Sequence, residues 1–436
     1  MKTNDSKINK VLDSIKKWTE GWYSAYAILG LVSAALIPVL LPLMIISVSQ
    51  SLANIAWVMG SFNLGLLTSP LWGNLADKKH AYHHLFFGGF IVLALGLAFF
   101  PFGHTLLAWL ITAITLGAGV ASVSTVATLF VVEFNPQNEW SSRIGWLQSF
   151  NGAGQTLGLL LAAFFSGNNL FNIGLWTGAA LLIPAILVGH LGLPAKKSEV
   201  RQEHLIHHID IRRIVKFGKV EFLSGGLIKH SHHINLAGLR NLAKLLPTNF
   251  GYFILSWFVS SLGVASFFAY FPIVMKSAYN VSPGLTSIIY AVAGAVGITL
   301  FTGSTKLSSR YGVKKIYRFG VLFRFIGFIL LLILLHLKLT VVPVLASLGF
   351  VFIVLAWPIL SVTGTTLTAE LAPVNEGEAM GVFNASGAVA TVLGTFLSGP
   401  LIHIWGYIMI SILGCVGLGL SLILTAKIKT SNTSQS

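Results

Sequence analysis

The feature that most constrains this chain is a series of long apolar stretches from which charged residues are almost absent. About 20 apolar residues in helical form are needed to cross the hydrocarbon core of a bilayer. Twelve stretches meet that requirement, and only 9% of all residues are charged, whereas soluble domains carry about 25%. They are residues 25–47, 54–75, 85–102, 105–131, 145–166, 171–194, 249–273, 284–305, 317–336, 340–368, 379–399 and 404–426. The sequence therefore predicts an all-α integral membrane protein with 12 transmembrane helices.

The placement of lysine and arginine predicts the orientation of these spans. The formal net charge is +15, but the basic residues are concentrated in alternate breaks between spans. The breaks after spans 1, 3, 5, 7, 9 and 11 hold only Lys276 and Lys338, whereas residues 195–247 alone hold ten bases. Cytoplasmic loops are the ones enriched in lysine and arginine. We therefore expect a multi-pass protein of the plasma membrane with both termini in the cytoplasm, and the high charge requires no nucleic acid partner.

The polar segments divide the chain into five regions. They are an N-terminal cytoplasmic tail (1–24), a six-helix bundle (25–194), a basic and histidine-rich cytoplasmic linker (195–247), a second six-helix bundle (248–426) and a C-terminal tail (427–436). Apolar residues as far as Trp22 recur at helical spacing in the first tail, which indicates either an amphipathic helix on the inner leaflet or a frayed tail. The linker histidines have no cysteine or fixed acid beside them, so we expect a solvated linker, no metal site and no cofactor.

Similar segments in the two halves indicate an internal duplication. The stretch from Gly65 to His84 closes an apolar run with a polar loop that holds Asp77, Lys78 and Lys79, and residues 297–315 repeat the plan. The equivalences between the halves are Leu75 with Leu307, Lys78 with Arg310, Gly145 with Gly381, Gln148 with Asn384 and Gly158 with Gly394. Such internal repeats are typical of carriers built from related helical bundles. We expect two pseudo-symmetric six-helix bundles within a monomer.

Span 5 is the most polar of the twelve. Gln148, Asn151 and Gln155 stand at positions i, i+3 and i+7, so they share one helical face. Amides are costly in hydrocarbon unless they are paired. This face must therefore meet another helix or a water-filled path.

Three charged residues at or inside the spans allow more than one interpretation. Arg324 in span 9 could be the counter-charge for an anionic substrate, or it could snorkel to the inner headgroups or bond to carbonyls of span 8 or 10. Its position near the start of the span favours the second interpretation. Glu133 and Glu370 end spans 4 and 10 and could carry coupling protons; a histidine could carry them instead, or proton coupling could be absent. A loop ion pair, such as Glu133 with Arg143, is the interpretation we favour.

The two loops resemble the loop between helices 2 and 3 of the major facilitator superfamily of transporters, which reads G-x-L-x-D-R-x-G-R-K/R. The first copy matches it at Gly73, Leu75, Asp77 and the basic Lys78. The second copy keeps Arg310, Gly312 and Lys314 and has Ser309 in place of the acid. The resemblance implies that two six-helix halves rock about a central site and expose it alternately to each side.

The resemblance also implies a gate on the inner side. Asp77 would lie near the N-terminus of helix 11, where the helix dipole favours an anion, and Lys78 and Arg310 would add charge contacts. Lysines at this place also fit simple positive-inside topology. The candidate gating residues are Asp77, Lys78, Arg310, Glu133, Arg143 and Glu370.

Span 5 is similar to the glycine motif Gly-x8-Gly-x3-Gly-Pro of the drug and metabolite exporters in that superfamily. Gly145, Gly154 and Gly158 match it, while Leu159 stands in place of the proline. Ala113 stands where the exporters' helix 4 motif has arginine. The resemblance thus implies a secondary transporter that exports a small organic solute, with protons as a candidate coupling ion. Import or facilitated passage of a nutrient or metabolite is the alternative.

The substrate path in the resembled superfamily is lined by helices 1, 4, 7 and 10, with helices 2, 5, 8 and 11 beside them. The candidate substrate-binding residues are Gln148, Asn151, Gln155, Asn384, Asn63, Tyr26, Tyr270 and Arg324. Trp57, Trp257 and Trp357 could add an apolar wall. Amides and aromatic rings with few charges suit a neutral or amphiphilic organic solute.

Two other classes of protein fit the sequence less well. A membrane enzyme would need convergent acids, bases or metal ligands, and the sequence contains no HExxH motif, nucleophile elbow or Walker loop. A sensor would need an output domain, and the predicted tails are short.

Overall fold

Helices form all the regular structure of the described chain, which comprises residues 18–79, 81–136, 139–193, 248–337, 339–372 and 376–428 of a computed structural model. Within these ranges the helices make up twelve spans, without a β-strand. The spans are α1 (Tyr23–Ser49, with a π-helical turn at Val32–Leu36), α2 (Leu52–Leu66 and Ser69–Lys79), α3 (Tyr82–Phe99), α4 (Leu106–Phe134), α5 (Trp140–Gly167), α6 (Phe171–Gly192), α7 (Asn249–Phe268 and Phe271–Tyr279), α8 (Pro283–Tyr311), α9 (Val313–Leu334), α10 (Val342–Leu371), α11 (Glu376–Trp405) and α12 (Ile408–Lys427). The predicted all-α architecture is confirmed.

Ten of these spans are long and apolar enough to cross a bilayer by themselves. The other two are α2, which is broken into two shorter segments, and α5, which carries the three amides. Thr68 lies at the break in α2, where its hydroxyl donates to the Gly65 carbonyl at 2.7 Å and accepts from the Trp72 indole at 2.9 Å. The side chain thus satisfies polar groups that a continuous helix would pair through its backbone.

Hydroxyl caps fix the start of several helices. Thr105, Thr248 and Ser282 each accept a hydrogen bond from the backbone N–H three residues later, at 3.1–3.3 Å. This is the side-chain cap that replaces one of the missing intrahelical partners at a helix start. Gln50 ends α1 in the left-handed conformation, with φ of 52°, and the chain reverses there into α2.

Close glycine contacts repeat in the two halves. A Cβ added at Gly158 of α5 would lie 2.4 Å from the Leu31 carbonyl oxygen of α1. A Cβ added at Gly394 of α11 would lie 2.2 Å from the Leu262 carbonyl oxygen of α7. The two residues were matched by sequence alone, and each lets its helix approach the first helix of its own half. This supports the predicted pair of pseudo-symmetric bundles, α1–α6 and α7–α12.

The two bundles meet chiefly through the pairs α2–α11, α5–α8 and α1–α7. We call the side where α1 begins and α12 ends the terminal face, and the other side the opposite face. Contacts between the bundles are close near the opposite face, where the Tyr270 hydroxyl donates to the Leu52 carbonyl at 2.8 Å and the Trp57 and Phe396 rings lie 5.4 Å apart. Toward the terminal face, the second segment of α2 packs on α3 and α4 of its own bundle. The bundles are therefore joined at the opposite face and separate toward the terminal face.

Three local predictions were wrong. Asp77 and Lys78 lie in the last turns of α2 rather than in a loop, because the second segment of α2 continues to Lys79. Helix α9 begins at Val313 rather than at residue 317, because polar residues in the first turn of a helix can reach water while their backbone remains helical. Trp22 packs against Phe86 and is 1% exposed, so it belongs to the core and not to a helix on the membrane surface.

Several predictions lie outside the described residues. These are the amphipathic helix before residue 18, the linker through residue 247 and the tail after residue 428. They stay predictions.

Candidate functional site

A cavity of about 770 Å³ lies between α5 of the first bundle and helices α7 to α11 of the second. Sites for small organic molecules have volumes of roughly 300–1,000 Å³, so the cavity is large enough for such a ligand. Its lining extends from Phe268 and Tyr290 at its deep end to Gly145 and Phe301 toward the terminal face. Because the bundles are joined at the opposite face, the cavity is reached from the terminal face.

The amide face of α5 forms one wall of this cavity. Gln148, Asn151 and Gln155 all line it, as their spacing predicted. The Asn151 amide also donates to the Tyr26 carbonyl at 3.5 Å, and the Gln155 amide donates to the Ala34 carbonyl at 3.3 Å. The amide face is therefore anchored to α1 on one side and presents polar atoms to the cavity on the other.

Arg324 forms part of the facing wall. It lies eleven residues after Val313, or about 16 Å along α9, which places it near the middle of the span. The residue is 5% exposed, lines the cavity, and donates from Nε to the Ile353 carbonyl of α10 at 3.1 Å. Snorkelling to the headgroups is thus not what the structure shows, because the true start of α9 places Arg324 deeper than predicted. The alternative bond to a carbonyl of span 10 is present.

Tyr290 of α8 connects the two walls. It lines the cavity together with Gln155 of the first bundle and Arg324 of the second. Its ring packs against Phe268, Phe271 and Phe350 at centroid distances of 5.6–6.1 Å. The rigid aromatic surroundings fix the ring, so the hydroxyl is held where the bundles face each other.

Two tryptophans and a set of hydroxyls complete the lining. The Trp257 and Trp357 rings lie 6.3 Å apart and form a continuous apolar surface. Trp257 also stacks on Phe383 at 4.4 Å, whereas Trp357 is 50% exposed. Hydroxyls come from Ser149, Thr156, Ser260, Ser261, Tyr290 and Thr391. The site thus combines aromatic surface with hydrogen-bonding groups and one guanidinium.

Four of the candidate substrate-binding residues lie outside the cavity lining. Asn63 donates to the Thr395 hydroxyl at 3.1 Å and Tyr270 to the Leu52 carbonyl, so both join the bundles to each other. Tyr26 is buried against α5, and Asn384 is exposed on α11. Neither helix 1 nor helix 4 contributes to the described lining, which lies mostly within the second bundle.

Residues of α8 were missed by the sequence argument. Tyr290, Ala293, Gly294, Gly297, Ile298 and Phe301 all line the cavity. They recur at i, i+3, i+4, i+7, i+8 and i+11, which is the spacing of one helical face. The signal that could have found them is the pair Gly294 and Gly297, because small residues on one face of an apolar span leave space beside it.

The candidate gating residues have different environments. Arg143 forms ion pairs with Glu20 at 3.0 Å and Glu139 at 2.8 Å; these replace the predicted pair with Glu133 and lie within the first bundle. Arg310 is exposed and its guanidinium lies over the Tyr311 ring. The side chains of Asp77 and Lys78 are not among those described.

Glu133 and Glu370 each lie one residue before the end of their helix, α4 and α10. The equivalent positions agree with the predicted duplication. Among the described residues, no group of three or more histidine, cysteine, aspartate or glutamate side chains is arranged to hold a metal ion.

Solved structures with the same fold cover almost the whole chain. The nucleoside transporter NupG has a TM-score of 0.69 at 16% identity, over 94% of this chain and 96% of its own. A D-xylose-proton symporter has a TM-score of 0.69 at 17% identity, over 96% of this chain and 100% of its own. The inward-open xylose transporter XylE from E. coli has a TM-score of 0.66 at 18% identity, over 95% of this chain and 96% of its own. At these identities the likeness shows the fold alone.

The sequence comparison identifies the family. No curated protein sequence matches the chain. Residues 22–395 match the Major Facilitator Superfamily, and this range runs from the start of α1 into α11 and includes all the described residues that line the cavity. The chain therefore belongs to the Major Facilitator Superfamily and is a multi-pass membrane transporter rather than an enzyme.

Proposed function

We propose that this transporter moves a small organic solute through the cavity by alternating access. The observation that supports the proposal is that both bundles contribute to one cavity while they touch each other near the opposite face. A rocking movement that separates Tyr270 from Leu52 would open the cavity to that face. A ligand that contacts both walls would bias this movement, because it binds the two arrangements with different affinity.

We propose that the terminal face is cytoplasmic and that the protein lies in the plasma membrane. The support is the concentration of lysine and arginine in the breaks on that side. The described arrangement is then the one that faces inward. Because one chain forms the whole described cavity, we propose that the monomer is the functional unit.

We propose export as the direction of transport. The support is the glycine pattern of α5, in which Gly154 and Gly158 make the close contact with α1. Import is the alternative outcome, and the D-xylose-proton symporter is an example of the fold in which solute and proton move together.

Protons are the proposed coupling ion. No described residue of the cavity lining is an acid, so the proton would be carried outside the lining. Glu370, near the end of α10, is the candidate. Vesicle uptake of a bound solute, with and without an imposed proton gradient, tests both coupling and direction.

Alternating access can be tested without knowing the solute. In a Cys415→Ser background, Ser261→Cys places one thiol in the cavity. A membrane-impermeant maleimide is added to intact cells or to inside-out vesicles. We expect labelling from both sides, since the cavity would open to each in turn.

A lock between α2 and α11 provides the control. The Asn63 amide and the Thr395 hydroxyl approach within 3.1 Å, so a variant with Asn63→Cys, Thr395→Cys and Ser261→Cys can be oxidised to join the first two thiols as a disulfide. The Ser261→Cys thiol then remains free as the reporter for the impermeant maleimide. Bridging should abolish access from outside the cell and leave access from the cytoplasmic side. Access from a single side in the unbridged protein, or unchanged access from outside after bridging, would exclude the proposal.

A further inference from the structure

Arg324 is the one charged residue among the described residues that line the cavity. A guanidinium has five N–H donors and stays protonated in proteins. In the described chain it has one hydrogen bond, from Nε to the Ile353 carbonyl, and forms no ion pair with an acid. A buried charge is costly unless it is paired. The cavity therefore contains a positive group whose counter-charge the described chain does not supply.

The position of Arg324 excludes the headgroups as its partner. The residue lies near the middle of α9 and is 5% exposed. The described lining contains no acidic side chain, and its polar groups include the hydroxyls of Tyr290, Ser260 and Ser261. Hydroxyls can donate to a bound anion as well as accept from the guanidinium. The surroundings thus suit a small anion in the cavity.

The rest of the lining limits what the anion is attached to. Trp257 and Trp357 offer a continuous aromatic surface, and Phe268 and Phe301 extend the apolar lining. The amides of α5 offer neutral hydrogen-bonding groups on the other wall. A single cationic group matches a single negative charge better than two, because a second charge would have to be buried without a partner.

We propose that the cavity binds a small organic monoanion, a carboxylate on a flat apolar body, with Arg324 as its counter-charge. A carboxylate is the group that a guanidinium binds through two parallel hydrogen bonds. The apolar body would lie on the Trp257 and Trp357 surface, and the amides of α5 would contact its edge. This inference rests on the proposed function, since it names the solute class of the same cavity.

The test compares three probes of the same shape and different charge. They are indole-3-acetate, its neutral amide indole-3-acetamide, and the cation tryptamine. The full-length protein is purified in detergent, and the dissociation constant of each probe is measured by titration. We expect the carboxylate to bind more tightly than the amide and the amine to bind least. Acetate, which lacks the ring, should bind more weakly than indole-3-acetate.

Substitutions at Arg324 show whether its charge sets this preference. In Arg324→Gln the carboxylate should bind about 10- to 100-fold more weakly, the effect of losing a charge-assisted hydrogen bond, while the amide changes little. Arg324→Lys should keep part of the preference, because it keeps the charge but loses the two-point geometry. Arg318→Gln is the matched control, since Arg318 lies on the same helix and is exposed; it should bind all probes as the wild type does.

The melting temperature separates this role from a structural one. If Arg324 served only to bond α9 to the Ile353 carbonyl, Arg324→Gln would melt at a lower temperature and the preference among probes would not change. We expect the ligand-free variant to melt no lower than the wild type, because an unpaired buried charge is removed.

Two results would overturn the inference. One is equal affinity of the wild type for the carboxylate and the amide, and the other is failure of both indole-3-acetate and acetate to bind. Neither affects the labelling test of alternating access, which needs no ligand, so the solute class and the transport mechanism can fail separately.

Discussion

Gly154 shows how a single side chain sets the distance between two helices. A Cβ at this position would lie 1.8 Å from the Ala27 carbonyl oxygen of α1, a distance that no packed structure tolerates. Two residues earlier on the same helix, Gly152 faces the cavity and has no atom within 4 Å of the added Cβ. The same residue type thus has opposite roles on two faces of α5.

The pair gives a direct prediction. Gly154→Ala should destabilise the protein by about 1–3 kcal/mol, the usual cost of overpacking, because the backbone of α1 must move away. Gly152→Ala should leave stability unchanged or raise it by up to about 1 kcal/mol, because alanine favours the helix. The measurement is the melting temperature of each purified variant. Equal melting temperatures would show that α1 and α5 are not held in close contact.

Arg324 and Tyr290 show what residue patterns reveal and what they conceal. A guanidinium in an apolar span is costly, and this cost marked Arg324 as either functional or specially paired. Whether its side chain reaches the headgroups or the cavity depends on where α9 begins. The hydropathy pattern placed that boundary four residues too late. Tyr290 gave no such signal, because a tyrosine in an apolar span is unremarkable until its neighbours are known.

Equivalent helices in the two bundles make equivalent contacts. Helix α5 packs on α1 through Gly158, and α11 packs on α7 through Gly394. Gly158→Ala and Gly394→Ala should each lower the melting temperature, because each added methyl group meets a carbonyl oxygen. The double variant should lose about the sum of the two effects, since the sites lie in different bundles and share no partner.

The control for this pair is Gly303→Ala in α8. An added Cβ there has nothing within 4 Å, so its melting temperature should not fall. If the double variant were only as unstable as the less stable single variant, the two contacts would not be independent. The two bundles would then not contribute separate, equivalent packing energies.

Helix number was predictable because it depends on patterns that local physics imposes. The apolar runs correspond to the twelve spans, and Gln148, Asn151 and Gln155 lie on one face of α5. Of the matched glycines, Gly158 and Gly394 make equivalent close contacts, whereas Gly145 makes none. The break in α2 was not predictable, since it depends on hydrogen bonds of Thr68 with Gly65 and Trp72 that the apolar pattern does not encode. The absence of helices 1 and 4 from the described lining depends on how whole bundles are placed, which the pattern of a single helix does not contain.

At the scale of the whole molecule, the two bundles pack on each other through three helix pairs, α2–α11, α5–α8 and α1–α7. Hydrogen bonds and a ring contact also join α2 to α7 and α11. A population of two arrangements separated by a few kcal/mol responds to small changes in such contacts. The relative position of the bundles therefore depends on contacts between helices of different bundles, among them a few polar bonds, and the pattern of a single helix does not contain this information.

The Tyr270 hydroxyl is the clearest of these bonds. Tyr270→Phe removes its 2.8 Å hydrogen bond to the Leu52 carbonyl of the other bundle, at a cost of about 1 kcal/mol to the closed opposite face. Access to that face should therefore rise about fivefold, measured as the rate at which Ser261→Cys is labelled from outside the cell. Tyr279→Phe removes a bond of the same length, but to Leu331 of its own bundle, so it should leave that rate unchanged. If both variants raised the rate equally, the effect would reflect loosening of α7, and the closure between bundles would have to depend on contacts other than Tyr270.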